Sequence, residues 1–418
     1  MAEITLDEFH EEASAFLDAH ARRRSEERFV WGEGSDAVDL FKEVSPEEEE
    51  AELEAAREWR AVKFDQGFGW ITGPEEYGGR GLPRAFEWHW QTLEAAYDVP
   101  DQRFFGISLG MVAPTILAHG IPEVRQRYLR RLHRGEMVGC QLFSEPDAGS
   151  DVANAKTRAV RDGDEWVVTG QKVWSSGAHY SDIGEVLTRT DPEVPKHQGL
   201  TMFLVDMAAP GVEVRPLRQL TGGAHFNEVF FHEVRIPDSH RLGEVNAGWK
   251  TAITTLMNER ASIGAGGVVD IKLANIPQLV ETVRHLGLAR DPVTRQGLAD
   301  LVVKARVLDY TNQRALARVR SGQAPGPELS ITKQALSDLM TSTASFVATV
   351  LGPRVAADTG EWGTYAWAKF VLGMASMRIA GGTEEIMKNI VGERVLGLPK
   401  EPEADRDRAG RRAPVPTV

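Results

Sequence analysis

The sequence predicts an α+β protein in which a β module separates two helical regions. Helical periodicity fills the first third of the chain, short alternating runs occupy the middle, and helical periodicity returns afterwards. The 418 residues, 42% hydrophobic and 26% charged, are typical of a folded soluble protein with two or three domains. We therefore expect an N-terminal helical domain at 1–138, a middle β-sandwich or barrel domain at 139–245, a C-terminal helical domain at 246–400 and a flexible tail at 401–418.

The N-terminal region carries two helix signals. Apolar residues recur at roughly helical spacing near the start: Ile4, Phe9, Phe16 and Leu17. A second helix is predicted over Pro46–Val62, because Ser45 is a good N-cap, proline follows it, and Glu48 completes a capping box. Further helical pattern extends from Arg84 to about Gly135.

The middle region shows the alternation expected of strands. Two of its runs are Glu165–Thr169 and Thr201–Val205. Gly163-Asp164 precedes the first run, and we expect Gly170-Gln171 to end it, as in a hairpin. Turn signals recur about every ten residues, which favours a sandwich or a small barrel.

The C-terminal region is helical from Gly248 almost to its end. Three breaks divide it, at 290–292, 321–327 and 352–353. The last stretch, Glu401–Val418, is charged, contains proline and has few apolar residues to bury, so we expect a loose tail.

Composition excludes several classes of function. The net charge of −13 repels phosphate backbones and argues against nucleic acid as a partner. Cys140 is the single cysteine, which excludes an intrachain disulfide and a CxxC metal site. The acidic N-terminus resembles neither a secretory signal nor a transit peptide, and no apolar run approaches the ~20 residues of a membrane span. We expect a cytoplasmic protein without a membrane partner.

The common catalytic motifs are absent. The chain has no GxxxxGK[ST] loop, no GxGxxG after a strand, no HExxH and no GxSxG. The 11 histidines do not cluster at ligand spacing, so we predict no metal site.

Two polar segments could face a ligand. Leu142–Asp151 places two hydroxyls, three carboxylates and a glycine in one turn-rich loop, which could bind a polar edge or only cap itself. Trp174–Gly177 places two serines after an aromatic ring, which could cover a flat heterocycle or be an ordinary core tryptophan at a sheet end.

A third feature is a carboxylate within an apolar helix stripe. At about 100° per residue, one narrow stripe is shared by Ala252, Leu256, Glu259 and Ile263. Burial of Glu259 without a partner is costly, so the position indicates either an ion pair with a distant arginine or a catalytic base.

Together these segments resemble the acyl-CoA dehydrogenase family of flavoproteins, from about Asp7 to Pro399. The resemblance is carried in order by 74–79, 143–151, 170–176, 227–231, 243–249, 381–383 and 393–397. It implies an acyl-CoA dehydrogenase-like fold whose C-terminal domain is a four-helix bundle, with FAD as the cofactor.

The resemblance also implies roles for individual residues. Residues near the flavin or the rest of FAD would be Leu142, Ser144, Trp174, Ser175, Ser176, Gly382, Thr383 and Glu385. Trp174 would lie along one flavin face, and Ser176, where the family usually has threonine, would lie near N5. Substrate contacts would come from Ser150, toward the pantetheine of CoA, and from Asn258 and Arg260.

The family reaction removes an α-proton from an acyl thioester and passes a β-hydride to flavin N5, giving a trans-2-enoyl-CoA. The usual glutamate base immediately precedes the Gly-Thr pair, but here that position is Gly381. Glu384 and Glu385 fall on positions that the family uses otherwise. Glu259 matches the alternative base position of the family, so we predict that Glu259 is the base.

The resemblance further implies an electron-transfer flavoprotein as acceptor, a homotetramer or a heterotetramer with a related chain, and a place in fatty acid or steroid side-chain catabolism. The usual Arg-Xaa-Xaa-Phe-Gly segment that contacts the FAD pyrophosphate is missing between 285 and 298. The alternatives are a flavin oxidase or monooxygenase of the same fold, or a non-catalytic partner subunit.

Overall fold

The computed structural model describes residues 4–24, 30–38, 40–264, 275–320 and 326–400. Its element order is helices, then a β-sheet, then helices, which confirms the predicted fold class. The helices are α1 (Leu6–His20), α2 (Pro46–Asp65), α3 (Arg84–Glu94), α4 (Ala113–His119), α5 (Pro122–Arg134), α6 (Gly248–Gly264), α7 (Ile276–His285), α8 (Pro292–Arg320), α9 (Leu329–Leu351), α10 (Trp367–Gly373) and α11 (Glu384–Ile390). The strands are β1 (Arg22–Arg23), β2 (Tyr97–Asp98), β3 (Gly139–Leu142), β4 (Arg158–Asp162), β5 (Glu165–Ser176), β6 (Ile183–Arg189), β7 (Leu200–Asp206), β8 (Val212–Leu217), β9 (Phe226–Pro237) and β10 (Arg241–Leu242).

The N-terminal helices begin where their caps predict. The Ser45 hydroxyl accepts from the Glu48 amide, and the Glu48 carboxylate accepts from the Ser45 amide, so the predicted capping box opens α2. Thr5 and Glu8 form an equivalent box at α1. The helical pattern predicted over 84–135 is divided into α3, α4 and α5, with a π-helical turn at Ser108–Val112 leading into α4.

The middle region is one mixed eight-stranded sheet. Its main path runs β10-β7-β6-β4-β5-β9-β8, and β3 pairs in parallel with β6. All seven residues of β6 are buried, since helices cover the face that carries Ile183 and Leu187, and a second apolar core within the β region covers the face that carries Val186.

One strand prediction is wrong. Gly170 does not end the strand that begins at Glu165, because β5 continues to Ser176. The backbone passes Gly170 with φ +155°, where a Cβ would lie 2.6 Å from the Thr157 hydroxyl oxygen. Glycine at this position therefore permits β5 to approach the chain segment at Thr157 closely, and it does not form a turn.

The C-terminal helices pack around their own apolar core. The predicted breaks at 290–292 and 352–353 are confirmed, the first between α7 and α8 and the second as a short 3-10 turn after α9. Residues 321–325 of the other break and the tail at 401–418 lie outside the described residues. None of the helices in the described ranges is long and apolar enough to cross a membrane.

A second core holds the three regions together. It combines residues of α4 and α5, the helix-facing side of β6 and β7, and the start of α6. Ile116, Leu204 and Ala252 are buried there at 0–1% exposure.

Candidate functional site

The structure places the polar loop after β3 alongside β5. The backbone amide of Val173 donates to the carbonyl oxygen of Ser144 at 2.9 Å. Two segments far apart in sequence, the Leu142–Asp151 loop and the end of β5, thus form one surface.

A buried ion pair stabilises this contact between the loop and β5. Lys172 is fully buried, and its Nζ donates to Glu145 Oε1 at 2.8 Å and to the carbonyl oxygen of Phe143 at 3.0 Å. The Glu145 carboxylate also accepts from the backbone amides of Lys156 at 2.6 Å and Thr157 at 2.9 Å. Glu145 therefore has both a cation and two amide donors.

These partners decide the ionisation of Glu145. Burial acts to raise its pKa, but the attraction of Lys172 and the hydrogen bonds outweigh burial, so the pKa of Glu145 is lowered. The loop is consequently held by a carboxylate that is ionised at neutral pH.

Trp174 is presented to solvent at the end of β5. Its backbone is left-handed at φ +59°, which is unusual for a bulky residue, and its side chain is 57% exposed. The ring meets Phe226 edge to face, with the ring centroids 6.0 Å apart. A strained, exposed indole is a feature typical of ligand-binding positions.

Beside Trp174, buried polar atoms lack partners. Within the described part of the chain, no hydrogen bond reaches Ser175 Oγ, Asn227 Oδ1 or His225 Nε2. Ser175 and Asn227 are directly paired across β5 and β9. An exposed aromatic face next to unsatisfied donors and acceptors fits a flat heterocycle with polar edges, which is the chemistry of a flavin ring.

The other predicted cofactor residues differ in position. Leu142 is buried at the end of β3, whereas Ser144 and Ser176 are half-buried on the shared surface. Ser150, predicted to approach the substrate, is exposed farther along the loop.

The predicted segment around Gly382 lies at the start of α11, and its described contacts are local. Thr383 caps that helix by accepting from the Ile386 amide at 3.3 Å. Glu384 forms a two-pronged ion pair with Arg378, both contacts 3.0 Å, while Glu385 is exposed. Glu384 is thus committed to a structural pair.

Glu259 lies on the face of α6 that packs against the core. On this face Ala252 is buried and Leu256 packs against the core, as the apolar stripe predicts, and Glu259 itself is half-buried. The neighbouring Asn258 uses its Nδ2 to donate to the carbonyl oxygen of Thr254 at 2.9 Å. The side chains of Arg260 and Ile263 lie outside the described residues.

A second carboxyl, which the sequence patterns above do not identify, lies close to Glu259. Glu185 is fully buried at the centre of β6, and its Oε2 lies 3.5 Å from Thr255 Oγ1, one helical turn before Glu259. Burial raises the pKa of Glu185 well above its ordinary value, and the charge of Glu259 adds to this effect. An acidic residue inside an otherwise apolar, β-rich run was the signal in the sequence.

Lys172, like Glu185, is a charged residue that interrupts a strand pattern, and the sequence patterns above assign it no role. It is fully buried next to the buried Val173 in β5, and a charge at a buried strand position requires a partner.

No group of three or more His, Cys, Asp or Glu side chains among the described residues could hold a metal ion.

Comparison with known families covers most of the chain. Models of the acyl-CoA dehydrogenase N-terminal, middle and C-terminal domains match residues 36–136, 140–234 and 246–396. The chain is 36% identical over 362 residues to acyl-CoA dehydrogenase IpdE1 of Mycobacterium tuberculosis, covering 85% of this chain and 91% of that protein. It is 41% identical over 289 residues to acyl-CoA dehydrogenase FadE34 of the same organism, covering 69% of this chain but only 39% of that protein.

Solved structures show the same fold. A structure described as Tcur3481-Tcur3483 steroid ACAD matches with a TM-score of 0.72 and 26% identity, covering 95% of this chain and 98% of the other. The ChsE4-ChsE5 complex from Mycobacterium tuberculosis matches with a TM-score of 0.67 and 27% identity, covering 96% of this chain and 100% of the other. Three consecutive domain matches and a relative aligned over nearly its whole length establish that this oxidoreductase belongs to the FAD-dependent acyl-CoA dehydrogenase family.

Proposed function

We propose that the protein oxidises a saturated acyl-CoA to the trans-2-enoyl-CoA with bound FAD, and that Glu259 is the catalytic base. The observation that carries this proposal is the place of Glu259 on the core-facing side of α6. Gly381 stands where most members of the family have their base, and Glu384 is paired with Arg378. Glu259 therefore supplies the carboxylate that the reaction requires.

The chemistry assigned to Glu259 is proton abstraction. A C–H bond next to a thioester carbonyl is a weak acid, so its proton must move to a carboxylate that is partly shielded from water. A carboxylate oxygen of Glu259 would accept this proton as the bond between the α-carbon and hydrogen breaks. FAD, when bound, supplies the acceptor for the hydride that leaves the β-carbon.

The surface around Trp174 is proposed to hold the flavin. Its exposed indole would cover one ring face, while Ser175 Oγ and Asn227 Oδ1 are unsatisfied groups that could hydrogen-bond a polar ring edge. The Glu145–Lys172 pair would keep Ser144 beside this surface. Ser150, farther out on the same loop, remains a proposed contact for the pantetheine.

For the substrate class, the relatives favour a steroid side chain over a simple fatty acid. One matching structure is described as a steroid ACAD, at 26% identity over nearly the whole chain. We assign the acyl group of this protein to the same class by that similarity.

For assembly, the heterotetramer with a related chain is favoured over the homotetramer. Two matching structures are described by pairs of protein names. Exposed apolar side chains at positions 303, 307 and 310 recur along one face of α8, which is consistent with a further chain packing there. Co-purification of a related second chain supports the heteromer, whereas a stable homotetramer with full flavin content contradicts it.

An electron-transfer flavoprotein is the proposed acceptor of the electrons from the reduced flavin.

The deciding experiment for the base is Glu259→Gln. Purified wild type should contain stoichiometric FAD that bleaches anaerobically when acyl-CoA is added. The variant should retain its FAD but reduce it at least about 10³-fold more slowly, because the amide cannot accept the α-proton.

Glu244→Gln is the matched control, since Glu244 precedes the same helix with its side chain 91% exposed. Undiminished flavin reduction in Glu259→Gln would remove Glu259 from the mechanism. Wild-type protein that stays colourless with added FAD would instead favour a partner subunit that cannot complete the site alone. Rapid reoxidation of the reduced flavin by oxygen would favour an oxidase or monooxygenase.

A further inference from the structure

Glu185 is a buried carboxyl next to the proposed base, and the mechanism above assigns it no role. It lies at the centre of β6 with no exposed surface, facing α4 and α6. Its Oε1 has no hydrogen-bond partner among the described residues. A buried, incompletely satisfied acid is costly, and such groups persist mainly at functional sites.

The hydroxyl protons around Glu185 are already committed. Thr115 Oγ1 lies 2.8 Å from the carbonyl oxygen of Met111, and a carbonyl can only accept, so Thr115 is the donor. Thr115 Oγ1 and Thr255 Oγ1 are 2.8 Å apart, so Thr255 must donate its own proton to Thr115. With the protons placed in this way, the 3.5 Å contact between Thr255 Oγ1 and Glu185 Oε2 gives an ionised Glu185 only weak support.

This arrangement favours a proton on Glu185 in the last contact. As a carboxylic acid Glu185 can donate to Thr255 Oγ1, whereas as a carboxylate it would depend on the Thr255 and Thr115 hydroxyls, both of which have nearer acceptors. In the part of the chain that the structure describes, no ion pair joins Glu185 to a cation. Full burial, the unpartnered Oε1 and the lack of a cation among the described residues that face Glu185 therefore favour the neutral form.

The titratable groups around Glu185 agree with this assignment. From α6 comes the Glu259 carboxyl, whose negative charge opposes a second negative charge nearby. From β3 comes the Cys140 thiol, neutral because burial raises its pKa to about 12. The π-turn and α4 contribute Met111 and Thr115, and the residue paired with Glu185 on β7 is the apolar Leu204.

We propose that Glu185 stays protonated in the folded protein and is a positioning residue for Glu259, supplying a neutral polar group beside the base. Apolar surroundings disfavour a carboxylate, whereas a polar group that can reorient favours it. Glu185 thus helps Glu259 to remain ionised near neutral pH at the edge of an apolar core. This inference rests on the proposed role of Glu259.

The test compares Glu185→Gln with Glu185→Leu in the FAD-loaded enzyme. A panel of substrates from butyryl-CoA to palmitoyl-CoA, with a steroid side-chain acyl-CoA added, first identifies the acyl-CoA that reduces the wild-type flavin fastest. Flavin reduction by that substrate is then followed from pH 5 to 9. Gln keeps a neutral polar group, so the acidic midpoint of the profile should equal that of wild type. Leu removes the polar group, so the midpoint should rise by about one pH unit.

Two results would overturn the proposal. A midpoint in Glu185→Leu equal to that of wild type means that Glu185 does not act on the base. A midpoint in Glu185→Gln lower by about one unit means that Glu185 was ionised in wild type. A purely structural role would change the melting temperature of the variants without moving the midpoint.

Infrared spectroscopy of the apoprotein tests the protonation state independently of activity. A carboxylic-acid carbonyl band that shifts in D₂O should be present at pH 7, lost in Glu185→Gln and retained in Glu259→Gln. Absence of the band in wild type overturns the assignment. If Glu259→Gln still reduces flavin, the base assignment fails, and the infrared band still decides the state of Glu185.

Discussion

The sheet buries two carboxyl groups in opposite ways. Glu145 lies in the loop after β3, beside β5, and is matched by the Lys172 ammonium and two backbone amides. Glu185 lies on β6, and among the described residues its hydrogen-bonding neighbours are the hydroxyls of Thr255, at 3.5 Å, and Thr115. Burial acts on both, yet the pKa of Glu145 is lowered and the pKa of Glu185 is raised well above its ordinary range.

The difference shows that ionic and hydrogen-bonding partners, rather than the extent of burial, decide whether a buried acid is charged. A cation and two amides stabilise the carboxylate of Glu145 and thereby connect two chain segments. Without them Glu185 keeps its proton and can act only as a dipole. One acid holds the architecture of the proposed flavin surface, and the other shapes the environment of the proposed base.

Among the substitutions that test this comparison, removal of Lys172 should have the largest effect on stability. Lys172→Met leaves the Glu145 charge buried without a cation, so we expect a loss of about 3–5 kcal/mol in the free energy of unfolding. FAD affinity should fall as well, because the loop carrying Ser144 loses its anchor. Urea denaturation and FAD titration of the apoprotein measure the two effects.

Lys156→Met is the matched control for that substitution. Lys156 pairs with Asp147 in the same loop at 2.8 Å, but both side chains are exposed. Its replacement should change the free energy of unfolding by less than about 1 kcal/mol. Equal losses in the two variants would show that burial of the Glu145–Lys172 pair has no special consequence.

Glu185→Gln should stabilise the protein, with a pH dependence of defined sign. A folded-state pKa above the unfolded value near ~4.3 means that stability from Glu185 is complete below that pH and declines as the pH rises toward the folded pKa. Gln lacks this decline. We therefore expect no advantage at pH 4 and a gain that grows by about 1.4 kcal/mol per pH unit above ~4.3 while the folded Glu185 keeps its proton.

Thermal melts of wild type and variant across pH 4–8 provide the measurement. A constant offset at every pH would mean that the gain comes from packing rather than from proton binding. A loss of stability that grows with pH would show that Glu185 is ionised and has a partner.

The smallest expected effect belongs to Thr255→Val. Wild type should lose about 1 kcal/mol, because the acid proton of Glu185 and the Thr115 oxygen each lose a partner. In the Glu185→Leu background the loss should be smaller by about 0.5 kcal/mol, which a double-mutant cycle measures. Equal losses in both backgrounds would separate Thr255 from Glu185.

Much of the fold could be predicted because its signals are local. Ser45 and Glu48 sit at the start of α2 as a capping box, and Gly248 begins α6 as the change of period indicates. The prediction at Gly170 is wrong because a glycine in a strand pattern is compatible with either a turn or a close approach of two backbones. Only the position of Thr157 across the sheet distinguishes them.

The candidate site was less predictable because its partners are distant in sequence. The helical stripe could place Glu259 on the core-facing side of α6. It could not place Glu185 beside Thr255, since a strand and a helix separated by many residues meet there only after folding. The pairing of Lys172 with Glu145 likewise depends on which loop crosses β5.

The two irregularities in the pairing of β5 and β9 have a consequence for how this sheet can change. Between the pairs formed by Val168 and Gly170, β9 contains one residue more than β5. Between the pairs formed by Lys172 and Ser175, β5 contains one residue more than β9. Each extra residue accompanies a left-handed backbone, at Glu233 and at Trp174. The two insertions cancel, so a deletion at one site alone would reverse the inward and outward faces of every pair beyond it. Length changes at these two distant positions should therefore be inherited together.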